Sequence, residues 1–160
     1  MVAVEAYEKQ PSTNAQILVV EDDRPIQKMV EALLASNGHH VDAVDSGEEG
    51  LEAMQTHPYS LVLTDLMLPG MTGDEMLKKR WEYEIANNLP HTPAIIMTAT
   101  PEHISRMRND GTPVLAKPFE IDHLLDLVEK QIRLMRSIPG ESPIQLPIKT
   151  HPTRQPLNGK

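Results

Sequence analysis

The sequence predicts an α/β domain in which a five-stranded parallel sheet carries helices on both faces. Short apolar runs alternate with longer amphipathic segments five times along the chain, and this alternation is typical of strand–helix units that build a parallel sheet. Four of the five predicted strands are continuous apolar runs, as expected where both faces of a strand are buried. A chain of 160 residues is suited to one such domain.

The predicted strands are short, aliphatic and followed by polar residues. The first, QILVV, spans 16–20, whereas the second, HHVDAVD at 39–45, alternates between apolar and polar residues. The other three are YSLVLTD at 59–65, PAIIMTA at 93–99 and PVLAK at 113–117.

Five helices are predicted from apolar residues spaced three and four apart. The first follows Asp23, an N-cap candidate, and ends at Asn37-Gly38. Ser46 and Glu49 predict a capping box that opens the second helix. The remaining three predicted helices are a polar segment at 73–88, a weakly patterned one at 101–110 and a strongly patterned one at 121–135.

Composition limits the classes of function. The formal charge of -8 argues against broad nucleic-acid binding, which depends on neutralising phosphates. Cysteine is absent, so disulfides and thiol catalysis are excluded, and the N-terminus lacks a signal-peptide pattern. We therefore expect a cytoplasmic protein with neither membrane nor nucleic acid as partner. Residues 1–15 are predicted to be a flexible leader and 16–137 the domain. Five prolines among residues 138–160 predict a flexible tail.

Charged and hydroxyl side chains gather where the predicted strands end, the edge at which open parallel sheets carry their sites. They are Glu21, Asp22 and Asp23 after the first strand, Asp65 at the third, Thr98 at the fourth and Lys117 at the fifth. Clustered carboxylates repel one another and favour a hard divalent cation, for which Mg²⁺ is predicted. Beside such a cation Asp65 stays ionised and can accept a phosphoryl group. Lys117 would neutralise charge and Thr98 would donate to a phosphoryl oxygen.

Four motifs stand at these strand ends in order: ILVVEDD, DLMLPGMTG, IIMTAT and LAKPF. With them, residues 16 to 137 resemble the receiver domain of two-component response regulators. The resemblance implies a doubly wound, flavodoxin-like fold with strand order 2-1-3-4-5. It also implies a signalling switch rather than a conventional enzyme. Phosphate would come from a sensor histidine kinase or a histidine phosphotransfer protein, and a downstream protein target would read the result.

The resemblance also assigns roles to individual residues. Asp65 would be the phosphoacceptor, Asp22 a direct metal ligand and Glu21 a ligand through water. The backbone carbonyl of Met67 would complete the metal shell. Thr98 would be the switch hydroxyl and Lys117 the phosphate partner, while Met67 and Thr100 occupy positions that tune hydrolysis.

Two departures from the family pattern keep a second hypothesis open. Val114 stands where the family usually has Tyr or Phe, and the stretch from Thr98 to Lys117 is shorter by about one helical turn. The first hypothesis is a stand-alone phosphorylation switch; the alternative is a receiver-like adaptor that works without phosphorylation. A small aspartate-dependent phosphatase is disfavoured, because it needs a second acid close after Asp65, where Leu66 and Met67 stand.

Overall fold

The computed structural model describes residues 14–102 and 111–136, and these form a parallel sheet with the order β2-β1-β3-β4-β5. The strand order and parallel pairing are therefore as predicted. The strands are β1 Gln16–Val20, β2 His40–Val44, β3 Leu61–Asp65, β4 Ala94–Thr98 and β5 Val114–Ala116. Each predicted strand lies within one residue or two of these bounds.

Four helices connect or follow the strands in the described residues. They are α1 Arg24–Ser36, α2 Gly47–Thr56, α3 Gly73–Ala86 and α4 Ile121–Arg136. The predicted helix at 101–110 begins with Pro101 and Glu102 in helical conformation, and its remaining residues lie outside the described part of the chain. The expectation of five helices is thus confirmed for four. Residues 1–13 and 137–160, which hold nearly all of the predicted leader and tail, also lie outside it.

The sheet is covered by two apolar layers, one on each face, because alternate strand residues point to opposite sides. One layer joins Val30 and Leu34 of α1 to Leu124 and Val128 of α4. The other joins Met54 of α2 to α3. The buried α3 members are Met76 and Leu77. Central strands therefore bury both faces, and their carboxyl ends are the part left accessible between the helices.

Helix starts agree with the predictions in one case and correct them in another. Asp23 caps α1 by accepting a hydrogen bond from the Ile26 amide at 3.2 Å. Ser46 likewise caps α2, but the predicted capping box is wrong, because the Glu49 carboxylate accepts from the Asp45 amide and not from Ser46. A complete capping box lies at the start of α3 instead, between Thr72 and Glu75.

None of the helices within 14–102 and 111–136 combines the length and the apolar character needed to cross a membrane.

Candidate functional site

The acidic pair follows β1 directly and is held in place by backbone contacts to β2. The Glu21 amide donates to the Val44 carbonyl at 3.1 Å, and the Gln27 side-chain amide donates to the Glu21 carbonyl at 2.9 Å. The Glu21 side chain is 1% exposed, whereas Asp22 is exposed. One carboxylate of the pair is therefore buried at the sheet edge and the other is open to solvent.

Lys117 connects the acidic pair to Asp65. Its Nζ lies 2.7 Å from Glu21 Oε2 and 3.3 Å from Asp65 Oδ2, and its backbone amide donates to the Thr98 carbonyl at 2.8 Å. The peptide bond between Lys117 and Pro118 is cis. The residue after β5 thus places its ammonium group between two carboxylates, one that follows β1 and one at the end of β3.

Glu21, Asp22 and Asp65 form one cluster, with a carboxylate oxygen of each within 4.8 Å of the others. Burial raises the pKa of Glu21, and the Asp65 charge raises it further, against the hydrogen bond from Lys117. Burial alone would lower the pKa of Lys117, but the bond to Glu21 and the Asp65 charge outweigh it and raise that pKa. The two pKa values thus rise for different reasons, burial for Glu21 and the neighbouring carboxylates for Lys117.

Thr98, the last residue of β4, is 1% exposed. Its register partner on β5 is Ala116, the residue before Lys117, and its neighbour Met97 pairs with Asp65 on β3. The Thr98 hydroxyl accepts a hydrogen bond from the Thr100 amide at 3.1 Å. It also lies 3.4 Å from the Thr100 hydroxyl, and either of these two groups can donate to the other. The predicted donor thus stands at the same sheet edge as Asp65 and Lys117.

Met67 lies in the connection between β3 and α3. The residue is 68% exposed, and no hydrogen bond between described residues ends on its carbonyl oxygen. The preceding carbonyl, that of Leu66, accepts instead from the amides of Leu68 and Gly73 at 3.2 and 2.9 Å. The Met67 carbonyl is thus an acceptor two positions from Asp65 that the described protein groups do not use.

Some residues that shape the site escaped the sequence predictions. Gln27 is 2% exposed and ties Glu21 to β2, although its spacing marked it only as part of a helix. A Cβ atom on Gly73 would lie 2.1 Å from the Asp65 carbonyl oxygen, so only glycine lets α3 begin this close to Asp65. Asp23, which also follows the first strand, serves as the helix cap that the sequence predicted. The sequence signal for Gly73 was its place in the DLMLPGMTG motif.

A comparison with protein families places these residues in a known group. The sequence model of the family described as response regulator receiver domain matches residues 17–129, which include every residue of the site. The chain belongs to this family. The receiver domain is a signalling module of two-component systems, and the predicted family and fold are therefore confirmed.

The curated relatives are longer proteins. The chain is 36% identical over 129 residues to the response regulator protein FleR of Pseudomonas aeruginosa, and this alignment covers 79% of the chain and 26% of FleR. It is 36% identical over 121 residues to the transcriptional regulatory protein DltR of Streptococcus agalactiae, and this alignment covers 74% of the chain and 52% of DltR. Since DltR is named a transcriptional regulator, the relatives do not support the expectation that nucleic acid is no partner. Stand-alone status stays a prediction.

Solved receiver domains share the fold. The receiver domain of a Francisella response regulator aligns with a TM-score of 0.65 at 28% identity, over 76% of this chain and 99% of that one. The receiver domain of a sensor histidine kinase from Pseudomonas aeruginosa, solved with a magnesium ion coordinated in its active-site cleft, aligns with a TM-score of 0.63 at 25% identity. That alignment covers 76% of this chain and 99% of the kinase domain.

Proposed function

We propose that this receiver domain is a Mg²⁺-dependent phosphoacceptor switch in which Asp65 takes a phosphoryl group from a phosphohistidine. The observation that carries the proposal is the convergence of three strand ends. They bring the Lys117 ammonium group within 3.3 Å of both Glu21 and Asp65, whose carboxylate oxygens lie within 4.8 Å of each other. A structural salt bridge would need one acid for one base, whereas this cluster keeps two further carboxylates beside the pair.

The residues of the cluster suit a divalent cation. The cluster holds three carboxylates and one ammonium group, which leaves a formal excess of two negative charges. Oxygen donors of this kind are the ligands that Mg²⁺ prefers. We assign Asp22, Asp65 and the Met67 carbonyl as direct ligands, with Glu21 acting through water. When bound, the cation supplies positive charge that offsets the charge on the transferring phosphoryl group.

The side chains of this chain then have distinct tasks in the transfer. A carboxylate oxygen of Asp65 forms the new bond to phosphorus while the bond from phosphorus to the histidine nitrogen breaks, and the imidazole leaves with that electron pair. Lys117 offsets charge on the phosphoryl oxygens, and the Thr98 hydroxyl donates to one of them. Hydrolysis later breaks the bond between phosphorus and Asp65, releases inorganic phosphate and restores the carboxylate.

A phosphorylated Asp65 would bias two conformations of the domain, which a downstream protein reads. The phosphoryl donor is a sensor histidine kinase or a histidine phosphotransfer protein, and the site of action is the cytoplasm. Val114 stands where the family usually has an aromatic residue, and it packs against the apolar layer that α2 and α3 cover. The readout of phosphorylation therefore uses a surface other than a rotating aromatic ring at this position.

The test uses the full chain with a small phosphodonor, acetyl phosphate, and Mg²⁺, followed by intact-mass spectrometry. We expect the mass of one phosphoryl group to be gained by the wild-type protein and not by Asp65→Asn. Asp126→Asn, which alters an exposed carboxylate of α4, is the matched control and should gain it as the wild type does.

Two outcomes would count against the switch. A wild-type protein that stays unmodified at saturating phosphodonor and Mg²⁺ would favour the phosphorylation-independent adaptor. A mass gain that persists in Asp65→Asn would place the acceptor elsewhere. A further experiment omits Mg²⁺, and the wild-type protein should then show no mass gain if the cation is required.

A further inference from the structure

The segment between β2 and α2, residues 45–48, lies against both loops that carry the proposed metal ligands. On one side, the Gln27 side-chain amide donates to Glu21 and Val44 carbonyls and to Asp45 Oδ1, at 2.9, 3.0 and 2.8 Å. These bonds fix the loop of the acidic pair to the end of β2. The acid loop is thus anchored to the start of this segment.

On its other side, the same segment reaches the connection between β3 and α3. Glu48, in the first turn of α2, accepts a hydrogen bond from the Met71 amide through Oε1 at 3.0 Å. A Cβ atom on Gly47 would lie 2.8 Å from the Met71 carbonyl oxygen, so the start of α2 packs directly on the backbone of this connection. Residues 66–72 are therefore held from outside by α2 as well as by their own strand and helix.

We propose that Glu48 is a positioning residue for the metal site. Its carboxylate fixes the Met71 amide, and with it the loop that carries the Met67 carbonyl, at a set distance from the acid loop that Gln27 anchors. The inference rests on the proposed function, because Met67 matters to Mg²⁺ only if the cation binds there. Residues that orient metal ligands without touching the metal commonly affect metal affinity about 10-fold to 100-fold when they are changed.

A structural alternative assigns Glu48 a different role. An acidic residue in the first turn of a helix stabilises that helix by interacting with its dipole. Glu48 is one of two acids in the first turn of α2, the other being Glu49. The dipole effect depends on the charge of residue 48, whereas the positioning role depends on the reach of its acceptor oxygen. Variants that change only the charge or only the side-chain length therefore distinguish the two roles.

The experiment compares three variants of the full chain by calorimetric titration with MgCl₂. Glu48→Gln keeps the length and the acceptor oxygen but loses the charge, so Mg²⁺ affinity should stay within about twofold of the wild type. Glu48→Asp keeps the charge but loses one methylene of reach, and Glu48→Ala loses both. These two should bind Mg²⁺ about 10-fold more weakly. Glu52→Ala, an exposed acid on the same helix, is the control and should bind as the wild type does.

A second readout needs no metal. Amide hydrogen exchange at Met71 should quicken in Glu48→Ala and Glu48→Asp but not in Glu48→Gln, because the amide loses its acceptor only in the first two. Unchanged Mg²⁺ affinity in Glu48→Ala, beside a wild type that binds Mg²⁺, would overturn the positioning role and leave the proposed function intact. Weakened binding in Glu48→Gln with wild-type binding in Glu48→Asp would overturn it in favour of the dipole. A wild type that does not bind Mg²⁺ would overturn both proposals.

Discussion

The Lys117 ammonium group donates a 2.7 Å hydrogen bond to Glu21, a residue 96 positions earlier in the chain. The pair is nearly buried, since the side chains are 16% and 1% exposed. In the absence of a cation, the ammonium group is therefore the main compensation for the buried acid. A residue that stabilises Glu21 in this way also competes with any cation for the same carboxylates.

Replacing the lysine should change cation binding and phosphoryl acceptance in opposite directions. Lys117→Met removes the competing charge, so Mg²⁺ affinity should rise about 5-fold, equivalent to about 1 kcal/mol, the interaction of two charges about 4 Å apart in water. Phosphoryl incorporation from acetyl phosphate should fall about 100-fold, because a group that stabilises transferring oxygens is lost. Titration calorimetry and intact-mass kinetics measure the two effects. Lys78→Met, on the exposed face of α3, is the control. A parallel loss of both properties would contradict the competition.

Gly73 offers a test of how closely α3 approaches the acceptor. In Gly73→Ala the added methyl would lie 2.1 Å from the Asp65 carbonyl oxygen and 2.8 Å from Thr64 Oγ1. The start of the helix must shift, and we expect a loss of about 1 to 3 kcal/mol of unfolding free energy, as for other overpacked sites. Urea unfolding measures it. Phosphoryl incorporation should slow as well, since Asp65 moves with its backbone.

The control for that change is Gly111→Ala, where an added methyl meets no atom of the described residues within 4 Å. Its backbone φ of 77° costs about 1 to 2 kcal/mol for a residue with a side chain, with no effect on Asp65. Equal rates of phosphoryl incorporation in Gly73→Ala and in the wild type would show that the close approach does not position the acceptor.

Local patterns predicted most of the fold and the strand edge at which the proposed acceptor site lies. The aliphatic runs that became β1, β3 and β4 are buried on both faces, and their carboxyl ends meet at one edge because the strands are parallel. Topology alone therefore brought Asp65 and Lys117 to the same place. The strand order came from the family resemblance, because no local pattern states which strands are neighbours.

The hydrogen-bond partners of individual acidic side chains were beyond prediction. The Ser46 and Glu49 spacing was compatible with a capping box, but in the fold the Glu49 carboxylate bonds the Asp45 amide instead. Likewise, nothing in the residues around Glu48 indicates that its oxygen meets the Met71 amide, 23 positions away. The contact of Glu48 depends on how α2 packs against the β3–α3 connection, which only the assembled sheet determines.

His39 should make stability depend on pH. Burial lowers the pKa of His39, and the charge of Arg136 lowers it further, whereas the charge of Glu129 acts in the opposite direction. The Nδ1 atom of His39 accepts a hydrogen bond from the Ala15 amide at 3.4 Å. A proton at Nδ1 would remove that acceptor. Because the folded pKa lies below the ordinary value of 6.5, the histidine's contribution is present above pH 6.5 and is lost as pH falls through the folded pKa.

Urea unfolding of the wild type and of His39→Gln between pH 7.5 and 5 measures this contribution. The wild type should lose stability with a slope of up to about 1.4 kcal/mol per pH unit from this group, and the variant should show a smaller slope. His40→Gln changes the exposed neighbour and should keep the wild-type slope. Identical slopes in the wild type and His39→Gln would mean that another group controls the transition.

The proposed domain boundary can be tested by deletion. Removing residues 138–160 should leave the midpoint of thermal unfolding and the phosphoryl incorporation unchanged, because the buried residues of α4 are Leu124, Val128 and Ile132. Circular dichroism and intact-mass spectrometry measure the two properties. A fall in thermal stability would mean that the deleted segment packs on the domain.

A buried polar network on α3 should matter for stability and not for phosphoryl chemistry. The Glu84 side chain is 2% exposed and lies 2.7 Å from Arg80 Nε. It also accepts from the Thr92 amide at 3.2 and 3.1 Å, and from the Thr92 hydroxyl. Arg80 in turn donates to the Met54 carbonyl at 2.9 Å, which joins α3 to α2. One carboxylate thus satisfies donors from α3 and from the segment before β4.

Glu84→Gln keeps the shape of this side chain but removes its charge and one of its two acceptor oxygens. Because Arg80 is also buried, it would be left without a charged partner, and such a loss costs about 3 to 5 kcal/mol. Urea unfolding should show that loss, whereas Glu82→Gln, an exposed neighbour on α3, should stay near the wild type. Below the unfolding transition the variant should accept phosphoryl groups at the wild-type rate, since the network shares no residue with the acceptor site. Slower acceptance by the folded variant would instead link the network to Asp65 through α3.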